Sequence, residues 1–150
     1  MTNDNQNKKK LIADFIKKHN LAVLTTVNPE GKPEAAVIKF SVKNELNLIF
    51  DTSSRFRKYE NLKNNRNVAV VIGWDQNITV QYEGITYELS GEELAECKVA
   101  HVAKFPDFAK FADADETRYF KINPIWIRYS DFTVWPWKIY EVDFIPPRNR

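Results

Sequence analysis

The stretch Asp51-Thr52-Ser53-Ser54-Arg55-Phe56-Arg57-Lys58-Tyr59-Glu60-Asn61-Leu62 holds the residue types best suited to chemistry. Residues 46–51 read as a strand and residues 54–64 as a short helix. Thr52, Ser53 and Ser54 fall at the passage between them. Hydroxyls and free amide N–H groups there, with the positive end of the helix dipole, make an anion site. Arg57 and Lys58 enter in the first helical turn, where a cation opposes the dipole, so a bound negative group would account for their placement. A terminal phosphate carries close to two negative charges, which two cations with hydroxyl and amide donors match. A capped helix with a solvated basic face is the other reading. Between Arg55 and Arg66 five basic residues stand against the single acid Glu60, and that excess fits either one.

Other constellations offer less. Glu93, Cys97 and His101 share a helix face at i, i+4 and i+8, but a closed zinc site takes four ligands and no fourth is evident. A partly buried helix face is the expectation there. His19 ends a helix and reads as a surface residue favoured by the dipole. With two histidines in the chain, haem ligation has no support from spacing. Asp113, Asp115 and Glu116 are too few for a calcium loop. No Gly-rich phosphate loop and no orderable Ser/His/Asp set is present.

The elements that must position these groups follow from periodicity. Residues 1–7 read as a disordered polar tail. Residues 8–19 form a helix with Leu11, Ile12, Phe15 and Ile16 on one stripe. Strands are expected at 21–27, 33–42, 46–51 and 68–74, at 78–83 and 85–89 around a bend at Gly84, and at 119–122, 125–130 and 137–144. Helices are expected at 92–104 and after Pro106. About eight short strands with peripheral helices indicate an antiparallel barrel in a single domain spanning 1–150.

Composition narrows the class. The 150 residues carry a net charge of +2, too little to draw the protein onto nucleic acid or membrane. No apolar run reaches the roughly 18 residues of a bilayer span. The single Cys97 excludes an internal disulfide, and residues 1–10 lack the apolar centre of a secretory leader. A reducing cytoplasm is the expected setting. Twelve of the twenty aromatic residues lie from Phe105 to Phe144, dense for a small core, so a flat aromatic ligand or a second subunit is expected against them.

The order Thr52, Arg57-Lys58, Asn61-Leu62 and Val68-Ala69-Val70 resembles the phosphate-binding segment of the pyridoxamine-phosphate-oxidase-like flavoproteins, with Phe56 where that family has serine. Gly31-Lys32-Pro33, Val80-Gln81-Tyr82-Glu83-Gly84, Phe105-Pro106 and Asn123-Pro124-Ile125-Trp126-Ile127 resemble its general-stress-protein branch, as does the late strand led by Trp137. The resemblance implies a mainly β, antiparallel split barrel, homodimeric, with FMN at the subunit interface. It implies a flavin-dependent oxidoreductase with a small-molecule electron donor or acceptor. Cofactor contacts would fall on Lys39, Thr52, Ser53, Ser54, Arg57, Lys58 and Trp137, with no metal and no assigned catalytic side chain. The arginine often found on the second strand is absent, Ala36 standing about there. Pyridoxamine phosphate turnover is not expected, since residues 100–116 hold no arginine for a second phosphate. A deazaflavin in the same fold is one rival. A non-enzymatic barrel for flavin or single-stranded nucleic acid is another, but the latter would interleave basic and aromatic residues along a strand face.

Overall fold

The computed structural model describes residues 3–44 and 46–144. Its elements run α1 (Asn3–Lys17), β1 (Leu21–Val27), β2 (Pro33–Lys43), β3 (Asn47–Ser53), α2 (Arg57–Asn64), β4 (Asn67–Ile72), β5 (Ile78–Glu88), α3 (Gly91–Lys104), a 3₁₀ helix (Pro106–Phe111), β6 (Thr117–Asp131) and β7 (Lys138–Asp143). Alternation builds the strands: Ala22, Leu24 and Thr26 of β1 turn inward while their neighbours are more exposed. The β1–β2 hairpin is made by Asn28, whose Oδ1 accepts from the amides of Glu30 at 3.0 Å and Lys32 at 2.9 Å. Gly31 there takes φ +82°, a conformation that glycine adopts without steric cost.

All neighbouring strands are antiparallel, in the order β3-β2-β1-β4-β5-β6-β7, and a β3–β6 pairing closes the first six into a barrel. Strand β6 makes the split. One edge pairs with β5 along its length. The other pairs with β3 as far as Ile122 and with β7 from Trp126 onward. Pro124 falls in the gap between those two partners, where its missing N–H costs no ladder bond. Opposite it, the β5–β6 register shifts between Glu83 and Gly84. A Cβ on Gly84 would lie 2.5 Å from Ile122 Cγ2 and 2.7 Å from the Asn123 carbonyl oxygen, so only glycine fits this crossing.

The main apolar cluster gathers around Leu24, Phe40, Phe50, Ile72, Tyr82, Ile122 and Ile127, and α1 lays Ile12, Ala13 and Ile16 onto it. Each of those large side chains contributes about 1.5–3 kcal/mol by leaving water. The buried Tyr82 hydroxyl donates to the carbonyls of Leu46 (2.8 Å) and Ile122 (3.1 Å).

Several expectations are corrected. Residues 3–7 belong to α1 and are not a tail, while Met1 and Thr2 lie outside the described residues. The two strands expected around Gly84 are one, as are the two around Pro124, because a bulge bends a ladder without ending it. Glu45 and residues 145–150 also lie outside the described residues.

Candidate functional site

The expected helix at 54–64 starts later. Helix α2 begins at Arg57, with Phe56 at the N-cap and no side-chain cap. Thr52 and Ser53 therefore end β3, and Ser54 sits in the intervening turn, so none of the three hydroxyls caps the helix. Ser53 Oγ accepts from the Arg55 amide at 3.2 Å. The Ser54 amide donates to the Glu116 carbonyl at 2.8 Å. Thr52 is buried, and its Oγ1 has no hydrogen-bond partner among the described residues.

The turn from Arg55 to Lys58 separates two adjoining cavities. One, of about 300 Å³, is bounded by Arg55, Phe56, Arg57 and Lys58 and by Leu24, Thr26, Glu34, Ala35 and Ala36 of β1 and β2. Three cations face one carboxylate there. The other is a groove of about 420 Å³ along β2 and β3, closed at one side by Phe108 and Phe111 of the 3₁₀ helix. Lys39, Asp51, Thr52 and Ser53 line it, and Phe56 and Lys58 line both spaces. Its two cations, Lys39 and Lys58, are balanced by Asp51 and Glu116. Burial holds the Lys58 ammonium below its ordinary pKa, opposed by the attraction of the Asp51 carboxylate. Lys39 lies over the Phe105 ring, 5.7 Å from its centre.

Arg57 is not free toward a ligand. Its Nη1 pairs with Glu34 Oε2 at 2.7 Å, and Glu34 Oε1 accepts from Asn61 Nδ2 at 2.7 Å. Asn61 Nδ2 also donates to Thr26 Oγ1 at 3.0 Å, which ties α2 to the β1–β2 hairpin.

Behind the groove sits a chain that sequence reasoning missed. His101 of α3 is wholly buried, 2.9 Å from Asp51 Oδ1 through Nε2 and 2.8 Å from Ser41 Oγ through Nδ1. With Asp51 ionised, a neutral imidazole satisfies both contacts: Nε2–H donates to the carboxylate and Nδ1 accepts from the serine. The rings of Phe105, Phe108 and Tyr119 enclose it at 5.1–6.2 Å. Tyr119 donates its hydroxyl to the Ala112 carbonyl at 2.8 Å. Burial, with the charges of Asp51 and Asp113, pushes the phenol up to about 12. Sequence spacing gave no sign of the chain, since Asp51 and Ser41 stand 50 and 60 residues from His101. The helix face of Glu93, Cys97 and His101 is partly buried, as expected: Cys97 lies in a small cluster with Ile49, Leu89 and Tyr119, His101 is enclosed, and Glu93 pairs with Lys121. Among the described residues no group of three metal-ligating side chains exists.

Lys39, Thr52, Ser53 and Lys58 thus meet at the groove, Arg57 borders the adjoining cavity, and Ser54 faces a further surface hollow beside Tyr59 and Lys63. Trp137 stands apart. It lies in the β6–β7 loop, edge-on to Phe132 and Trp135, while the groove meets β6 at Thr117. Between Thr117 and that loop runs the whole of β6, about 45 Å along the strand at its usual rise.

Among solved structures, a heme binding protein from Mycobacterium smegmatis superposes with a TM-score of 0.77 at 14% identity, over 95% of this chain and 59% of its own length. The chain thus spans little more than half of that protein. A heme storage protein from Vibrio cholerae gives a TM-score of 0.69 at 17% identity, with coverages of 76% and 87%. A Clostridium acetobutylicum protein related to general stress protein 26, of the pyridoxinephosphate oxidase family, gives 0.72 at 13% identity over 93% of this chain and 96% of that one. At such identities the likeness is one of fold. No curated protein matches the sequence. No helix is long and apolar enough to cross a membrane. The split barrel has the form anticipated from Thr52 through Val70, and residues 9–144 match the pyridoxamine 5'-phosphate oxidase family, to which this chain belongs.

Proposed function

We propose that the protein binds FMN, with the flavin ring in the groove along β2 and β3 and the phosphate at the turn from Arg55 to Lys58. The observation that carries this is the adjoining pair of spaces. One is aromatic-walled and charge-balanced, the other is rich in cations, and Lys58 lines both. A flat ring with an acidic tail has that division of chemistry. The residues present fit the group: the buried Thr52 hydroxyl lacks a partner that a ligand oxygen would supply, and the half-buried Lys58 would gain a counter-charge. The flavin supplies the redox chemistry, and the protein binds and orients it. We infer a flavin-dependent oxidoreductase with a small-molecule electron donor or acceptor, working as a homodimer. Pyridoxamine phosphate is not its substrate, because residues 100–116 offer no arginine to a second phosphate.

Haem is the second reading, suggested by the heme-binding and heme-storage proteins among the structural neighbours. His101 argues against it at this groove: it is wholly buried with both ring nitrogens engaged, so axial ligation would break one of those bonds. A deazaflavin would need further cations for its longer acidic tail, and the groove's charges are balanced.

Lys58→Ala tests the assignment. FMN binding should weaken about 10- to 100-fold, the loss of one charged hydrogen bond of about 1.5–3 kcal/mol, and riboflavin binding should stay within a few-fold of wild type. Equal losses for both ligands would move the phosphate elsewhere.

A further inference from the structure

We propose that Glu34 determines how strongly this site holds the acidic end of its ligand, because its carboxylate occupies the Arg57 guanidinium. The ligand's identity rests on the flavin reading, but the charge argument does not. Glu34 is the one carboxylate among the residues lining the smaller cavity, facing Arg55, Arg57 and Lys58. Its position is fixed. Oε2 pairs with Arg57 at 2.7 Å, Oε1 accepts from Asn61 at 2.7 Å, and Asn61 is anchored in turn on Thr26. Thr26 is the cross-strand partner of Glu34 in the β1–β2 ladder, so the carboxylate is braced from both the sheet and α2.

The two members of the ion pair are unlike. The Glu34 side chain is 18% exposed, whereas that of Arg57 is 79% exposed. Glu34 is the more buried member, held by two partners, and Arg57 is the long surface side chain drawn onto it. A phosphate entering the cavity meets a guanidinium already neutralised and a carboxylate of its own sign at close range. It must either take Arg57 from Glu34 or bind beside the pair. In both cases Glu34 opposes a dianion and leaves a neutral ligand unaffected. The site is therefore set to hold an acidic group more weakly than its cluster of basic residues suggests, and Glu34 is its specificity-determining residue. A purely mechanical role, stapling α2 to the hairpin, predicts effects on stability and none on ligand preference.

Glu34→Gln separates the two, since the amide keeps an oxygen for Asn61 while it gives up both the charge and the acceptor that faces Arg57. Wild type and variant are titrated with FMN, riboflavin and inorganic phosphate, alongside Arg57→Gln and the double variant. Glu34→Gln should tighten FMN and phosphate about ten-fold at low salt, the scale of one unit charge acting on a dianion through partly screened solvent. Riboflavin should be unchanged. In the Arg57→Gln background the same substitution should give a clearly smaller gain, the mark of coupling between the two side chains. Weaker FMN and phosphate binding by Glu34→Gln would overturn the proposal by showing that Glu34 presents Arg57 to the ligand. No change for either, or equal change for riboflavin, would overturn it too. Should neither flavin bind any variant, the flavin reading fails by itself, and the phosphate titration still decides the role of Glu34.

Discussion

At the scale of single residues, the site combines a ligand-facing surface with a buried chain that holds it. His101 joins α3 to Asp51 of β3 and Ser41 of β2. His101→Phe would leave the buried Ser41 hydroxyl without its bond, at about 1–3 kcal/mol, and the Asp51 carboxylate at the groove wall without its own, at about 1 kcal/mol. Urea unfolding should accordingly show a loss of about 2–4 kcal/mol, and a loss under about 0.5 kcal/mol would mean the chain is dispensable. Tyr119 gives a pH signature. Its phenol is raised in the fold to about 12, so the stability it contributes is complete below pH about 10, its unfolded value, and is lost as pH rises toward 12. Lys58 acts with the opposite sign. Its depressed pKa means stability grows as pH climbs toward the ordinary lysine value. Tyr119→Phe should flatten the decline above pH about 10 in unfolding experiments, and an unaltered slope would assign it elsewhere, with Tyr82 the next phenol raised by burial. The place of Arg57 and Lys58 in the first turn of a helix was legible in the sequence, but the carboxylate that meets Arg57, Glu34 of β2, was not. Nor was the Asp51–His101–Ser41 chain, because three elements distant in sequence meet only when the barrel closes.

At the scale of elements, the strands were largely legible and their continuity was not. Alternation of apolar residues located the strands, yet the bends at Gly84 and Pro124 read as ends, since both residues also terminate strands. Paired across β5 and β6, they are two halves of one irregularity, where the outer edge of β6 passes from β3 to β7. The start of α2 was misplaced for a related reason. Thr52, Ser53 and Ser54 are all good N-caps by type, but β3 continues through Ser53 by pairing with β6, and the helix waits until Arg57. Thr52 and Ser53 were thereby moved from a helix cap to the groove wall, and Ser54 to the hollow beside Tyr59 and Lys63. Gly84→Ala tests the crossing. Its Cβ would press on Ile122 and on the Asn123 carbonyl, so a loss of about 1–3 kcal/mol is expected on thermal or urea unfolding. An unchanged midpoint would show that the crossing can shift to make room.

At the scale of the whole molecule, the barrel leaves an open groove on one side and an aromatic loop at the far end of β6. Trp135 and Trp137 are 81% and 54% exposed in the isolated chain, and Val37, Phe56 and Phe111 are exposed around the groove. The density of aromatic residues after Phe105 was visible in the sequence, but not their division between core and surface: Tyr119, Phe120 and Tyr129 are buried, and Phe132, Trp135 and Trp137 are not. Flavin binding is the central claim, and spectral titration of the purified protein with FMN tests it most directly. The account predicts a shifted, structured flavin absorbance that saturates at one FMN per chain and is released on denaturation. Free FMN that keeps its solution spectrum at all protein concentrations, or a protein that takes up haem with a Soret band while leaving FMN unbound, would contradict it.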